Sequence, residues 1–78
     1  MNADNWMEHL RAAISEETGA PSDSIKADTT ATDVPGWDSL AHVRIMLNVE
    51  ARAGQSVDID ASYTVATVGE LVDLLAGA

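Results

Sequence analysis

The sequence predicts an all-α fold, a small bundle of three main helices with a short helical turn and a long first loop. Apolar residues recur at helical spacing in three separate stretches, 13 of the 36 hydrophobic residues are alanine with no phenylalanine, and no two alternating segments could pair as strands. At 78 residues the chain is expected to be one domain, 1–78, without internal repeats. A core this small offsets the entropy of ordering only narrowly, so stability should be about a few kcal/mol.

The first helix is expected at about 5–18. Trp6, Leu10, Ala13 and Ile14 stand at i, i+4, i+7 and i+8, within one sector of the helical wheel. Asp4 or Asn5 would cap its start, and Gly19 follows its end. Residues 19–37 then read as a loop rich in Pro, Ser, Thr and Asp, broken by Pro21 and Pro35. Ile25 and Val34 are its large aliphatic side chains and are expected to pin it across the helices. Loops of this length in compact domains are usually functional or disordered.

Asp38 is a good N-cap for a second helix at about 38–53, which Gly54 terminates. Ile45, Met46, Val49 and Ala53 share one face, while Leu40, Val43 and Leu47 cluster nearly opposite. One stripe can enter the core; the other needs a further element of the domain, a bound apolar ligand or a partner protein. Val57 and Ile59 alternate with polar residues, and a short turn at about 60–63 would be capped by Asp60. The last helix, at about 67–76, opens with a capping box of Thr67 and Glu70 and carries Val68, Leu71, Val72 and Leu75 at i, i+3, i+4 and i+7.

A net charge of −9 disfavours nucleic acid and anionic lipid and suits basic protein partners. With no cysteine there is neither a disulfide nor a thiolate metal site, and His9 and His42 alone make a poor case for zinc, so no metal site is expected. Met1 to Leu10 carries Asp4 and Glu8 and lacks the basic and apolar regions of a signal peptide. No apolar stretch approaches membrane-spanning length, so a cytoplasmic protein that does not insert into membranes is expected. No catalytic constellation is visible: Glu16, Glu17, Asp58 and Asp60 read as solvated carboxylates, and nothing resembles a phosphate loop or a histidine pair at metal spacing.

One segment stands apart, Gly36-Trp37-Asp38-Ser39-Leu40, with a serine in the first turn of a helix behind a long loop. Ser39 has three readings. It can be an ordinary first-turn polar residue; it can be a hydrolase nucleophile, for which the triad is missing, since the nearby His42 lies three residues along the same helix; or it can be an attachment point. A phosphodiester on its hydroxyl would lie at the positive end of the helix, where unpaired N–H groups favour an anion.

These residues resemble the acyl carrier proteins, a family that bears a 4′-phosphopantetheine arm on the serine of an Asp-Ser-Leu motif. Asp38-Ser39-Leu40 looks like that motif, the helix to Ala53 like the family's second helix, and Thr67-Val68-Gly69-Glu70-Leu71-Val72-Asp73-Leu74-Leu75 like its last. The resemblance covers nearly the whole chain. It implies that a phosphopantetheinyl transferase esterifies Ser39 from coenzyme A, with Asp38 and Leu40 beside it, and that the chain catalyses nothing itself. It implies a monomer that shuttles acyl thioesters among acyl-loading and acyl-transfer enzymes of fatty-acid, polyketide or specialised lipid synthesis. Leu40, Val43, Leu47, Arg44 and Trp37 would meet those partners, and an apolar cargo would fold back near Ile45, Val49, Ile59, Ala61, Tyr63 and Leu71.

The central helix departs from the acid-rich pattern of fatty-acid carriers. Residues 41–54 hold Arg44, Arg52 and Glu50, a sum of +1, against −6 over 1–40 and −4 over 55–78. Either Arg44 repels general synthase enzymes, which implies specialised partners, or it merely pairs with an acid such as Glu50 or a loop aspartate. Trp37 can flank the arm, meet a partner or pack the loop onto the helix. Trp6 and Tyr63 are expected in the core, and His42 is expected as a partly buried structural histidine. The competing functions are a peptidyl or aminoacyl carrier, whose motif is more often Gly-Gly-His-Ser-like, and an unmodified acidic adaptor.

Overall fold

The computed structural model describes residues 2–77 and contains four helices: α1 (Ala3–Thr18), α2 (Ser39–Ala53), α3 (Ile59–Ser62) and α4 (Val68–Leu75). The all-α expectation holds, and α1 packs against both α2 and α4. α1 begins two residues before the expected start because Asn2, rather than Asp4 or Asn5, is its cap and accepts the Asn5 N–H at 3.0 Å. Trp6, Leu10, Ala13 and Ile14 are its buried stripe, as their spacing predicts. At its end Gly19 takes φ +80°, a left-handed conformation that turns the chain and brings its N–H to the Ser15 carbonyl at 2.8 Å.

The long loop is ordered by its own turns and by α4. Single 3₁₀ turns form at Ser22–Ser24 and Ala31–Asp33, and Ile25 and Val34 are both buried in the common core. Arg11 Nε donates to the Ile25 carbonyl at 2.9 Å, tying the loop to α1. On the other side the Val68 N–H reaches the Thr29 carbonyl at 2.9 Å, and the Gly69 N–H reaches the Ala27 carbonyl at 2.8 Å. Loop carbonyls thus satisfy free donors in the first turn of α4.

Gly69 is where that approach is tightest. A Cβ there would lie 3.0 Å from the Ala27 carbonyl oxygen and 3.3 Å from its Cβ. Gly69→Val should therefore push the loop off α4 and cost about 1–3 kcal/mol, the range for overpacking. Urea unfolding monitored by far-ultraviolet circular dichroism would measure this, and an unchanged midpoint would refute the account.

Two further expectations are corrected. α3 is capped by Asp58, which accepts the Ala61 N–H at 3.0 Å, so Asp60 lies inside the turn and the helix starts at Ile59. Tyr63 is not a core residue: it is 50% exposed, just past the end of α3, because its hydroxyl reaches back to the Ser39 carbonyl at 3.3 Å. The capping box of Thr67 and Glu70 forms as expected, and the N–H groups of Ala66 and Thr67 hold the Glu70 carboxyl below its usual pKa.

The positive charge on α2 is explained by α1. Arg52 pairs with Glu16 at 2.8 Å and Arg44 approaches Glu17 at 3.7 Å, so Arg44 meets neither Glu50 nor a loop aspartate. Asn48 Nδ2 donates to both Glu16 and Glu17 at 3.1 Å, while its Oδ1 accepts from Arg52 Nε at 2.7 Å. The basic residues of α2 complement an acidic ridge on its neighbour. Exposed pairs of this kind contribute little stability individually, but they orient the two helices.

Candidate functional site

Asp38 starts α2 as its side chain accepts the Ala41 N–H at 2.8 Å, while its carbonyl accepts the His42 N–H at 2.9 Å. Ser39 is the next residue, and it is exposed. Among the described residues its hydroxyl has no hydrogen-bond partner, and the first-turn N–H groups of Ser39 and Leu40 have no acceptor. An uncommitted hydroxyl therefore sits at the positive end of a fifteen-residue helix. A phosphodiester fits here, since it would accept from those N–H groups without displacing the cap.

Ser39 opens onto a shallow groove of about 280 Å³ lined by Ala31, Trp37, Asp38, Ser39, His42 and Tyr63. Ala31, Trp37, His42 and Tyr63 also line a more enclosed cavity of about 140 Å³, whose remaining walls include Ser62, Val65, Val68 and Leu71. The two spaces have the wall of Ala31, Trp37, His42 and Tyr63 in common, so the cavity adjoins the groove at Ser39.

His42 organises this wall. It is 8% exposed and stacks on Trp37, with ring centroids 6.0 Å apart, while Tyr63 lies 4.4 Å away on a tilted plane. The Trp37 indole N–H, which can only donate, points at His42 Nδ1 at 3.1 Å. Nδ1 must accept, so in the neutral ring the proton sits on Nε2, which donates to Ser62 Oγ at 2.7 Å. Ser62 in turn donates to the Ile59 carbonyl. This directed chain joins the loop, α2 and α3. Burial pushes the His42 pKa down, and protonation at Nδ1 would break the bond from Trp37, which works in the same direction.

Of the residues expected around a cargo, Tyr63 and Leu71 line the cavity. Ile45 and Val49 are fully buried in the core, while Ile59 and Ala61 are half-buried outside the lining. Trp37 is half-buried against the core, with its edge on the groove. Leu40 and Leu47 are 64% and 51% exposed and Val43 is partly buried, so the second stripe of α2 remains largely uncovered. Sequence reasoning missed Ser62, Val65 and Val68 as wall residues; Ser62 carries no periodic signal, and its partner His42 is 20 residues away.

Residues 8–75 match the family described as the phosphopantetheine attachment site. An acyl carrier protein of Beutenbergia cavernae is 35% identical over 69 residues, covering 88% of this chain and 84% of its own. The acyl carrier protein of Kineococcus radiotolerans is 35% identical over 63 residues, 81% of this chain and 78% of that one, and that of Renibacterium salmoninarum is 29% identical over 69 residues, 88% and 85%. No solved structure matches the chain significantly.

Proposed function

We propose, from the premise that the chain belongs to the phosphopantetheine attachment family, that it is an acyl carrier protein modified on Ser39. It passes acyl groups between the enzymes of fatty-acid, polyketide or specialised lipid synthesis. The observation that carries this reading is the exposed Ser39 hydroxyl at the start of α2, next to the Asp38 cap and without a hydrogen-bond partner among the described residues. A phosphopantetheinyl transferase would join Ser39 Oγ to the pantetheine-bearing phosphorus of coenzyme A, breaking the pyrophosphate bond, with the hydroxyl proton lost to base and adenosine 3′,5′-bisphosphate leaving. The arm, when bound, supplies the thiol that this cysteine-free chain lacks. The chain's own contribution is to present the hydroxyl and to offer the Ser39 and Leu40 N–H groups to the phosphate.

No described helix is long and apolar enough to cross a membrane. We place the protein in the cytoplasm, acting as a monomer that meets several enzymes in turn. Leu40, Val43 and Leu47 form the strip those enzymes contact, supported by the exposure of the two leucines. Arg44, 51% exposed beside Glu17, presents a cation at the edge of the same strip. Leu47→Glu should lower the rate of modification about tenfold, since interface anchors commonly cost more than 1.4 kcal/mol when lost. Its unfolding midpoint should stay near the wild-type value, as for most exposed substitutions. Equal modification rates for the two proteins would remove the strip from the interface.

The test of the function is the intact mass after incubation with coenzyme A, a broad-specificity transferase and Mg²⁺. One phosphopantetheine adduct per chain is expected; a wild-type chain that stays unmodified would falsify the reading.

A further inference from the structure

We infer that the buried His42–Ser62 bond is a stop that limits the sheltered cargo to short acyl groups, of about six carbons or fewer. The inference rests on Ser39 being the attachment point. The cavity that adjoins the Ser39 groove holds about 140 Å³. A protein cavity of about 150 Å³ accommodates one benzene, which is six carbons.

The cavity's lining ends on α2 at His42 and on α3 at Ser62, which are joined at 2.7 Å. The next residues down the same face of α2, Ile45, Met46 and Val49, are fully buried and line neither space. A longer chain would have to pass between α2 and α3 to reach them. That path requires parting His42 from Ser62, which leaves the Nε2 proton of a buried ring without an acceptor. Short cargo meets no such penalty, because Val65, Val68 and Leu71 give it apolar contact on the near side of the bond.

The stop is chemical as well as steric. An apolar wall can repack around one more methylene, whereas a directed chain from Trp37 through His42 and Ser62 to the Ile59 carbonyl has all its donors in use. Displacing one member disturbs the others.

The test loads Ser39 of the full chain with acetyl-, butyryl-, hexanoyl-, decanoyl- and dodecanoyl-phosphopantetheine from the corresponding acyl-coenzyme A. Thioester cleavage by hydroxylamine is then followed by intact mass, and Val65 and Leu71 methyl shifts by NMR. Cleavage tracks the fraction of time the cargo is outside. Butyryl and hexanoyl should be cleaved about tenfold more slowly than acetyl, corresponding to a cargo that is inside about nine-tenths of the time. Decanoyl and dodecanoyl should return to the acetyl rate, with no further methyl shift.

Protection that keeps rising to dodecanoyl, or that is absent at every length, overturns the inference even though Ser39 has been loaded. Failure to load Ser39 at all removes the carrier reading as well. Ser62→Ala and His42→Leu should extend protection to decanoyl. A folded variant that keeps the wild-type cut-off also overturns the assignment, and the wild-type series decides the size limit even if neither variant folds.

Discussion

Ser39→Ala should take phosphopantetheine incorporation to zero while leaving the fold intact. The two halves of that expectation have separate causes. The hydroxyl is the only atom removed, it is exposed, and among the described residues it makes no hydrogen bond. The contacts that organise this turn use other atoms: the Asp38 carboxylate holds the Ala41 N–H, and the Tyr63 hydroxyl donates to the Ser39 carbonyl. Both survive in alanine, which is also a better helix former. Stability should therefore change by no more than about 0.5 kcal/mol. Asp38→Ala is the contrasting variant: it keeps the hydroxyl but loses the cap, at a cost of about 1 kcal/mol. Intact mass and thermal unfolding on the two variants separate chemistry from structure. Any adduct on Ser39→Ala would move the attachment elsewhere, and a large loss of its stability would mean that the hydroxyl is structural.

His42→Ala should have the largest effect on stability. It leaves the Trp37 indole N–H without its acceptor, removes one partner of Ser62 and opens space beneath the groove. Together these effects should cost about 2–4 kcal/mol, most of what so small a core supplies. The effect should depend on pH. Burial holds His42 below its ordinary value near 6.5, so the native protein keeps the ring neutral where the unfolded chain protonates it. The groups that contact the ring, Trp37, Ser62 and Tyr63, include no carboxylate that could pair with a protonated imidazole. The contribution of His42 is therefore complete above about pH 6.5 and is lost as pH falls through the lowered native value. Urea midpoints at pH 7.5 and pH 5 should show a gap between wild type and variant that narrows in acid. The acidic side chains shared by both proteins cancel in that comparison. A constant gap would mean that the ring is not held neutral.

Arg44 illustrates how far sequence reasoning carries. The scarcity of acids in the central helix, where Glu50 stands against Arg44 and Arg52 in the count, is plain in the sequence and suggests either partner discrimination or a local ion pair. The partner turns out to be Glu17 on α1, 27 positions away, which joins Arg52, Asn48 and Glu16 in one ridge between two helices. Unusual charge on α2 is thereby tied to helix packing. The cavity illustrates the same limit from the other side. Periodicity put Ile45 and Val49 on one face of α2, and that face is buried, but a buried face can meet packed core or open space. Here it meets core.

By itself the sequence determined whatever depends on neighbours along the chain. The stripe of α1, the Asp38 cap, the glycine stops, the Thr67–Glu70 box and the position of Ser39 in a first helical turn all depend on spacings of one to eight residues, which helix geometry fixes. Even there, the choice among nearby capping residues, Asn2 over Asp4 or Asn5 and Asp58 over Asp60, was visible only in the structure. Only the tertiary structure decided that Trp37, His42 and Ser62 form one directed chain, that α1 answers the arginines of α2, and that the space behind Ser39 is small. Trp37 and His42 are close in sequence but are joined by ring orientation rather than by helical spacing; the other contacts join residues 20 or more positions apart, and their distances follow from how the helices cross and how closely side-chain volumes fit. No periodicity in the sequence records either quantity.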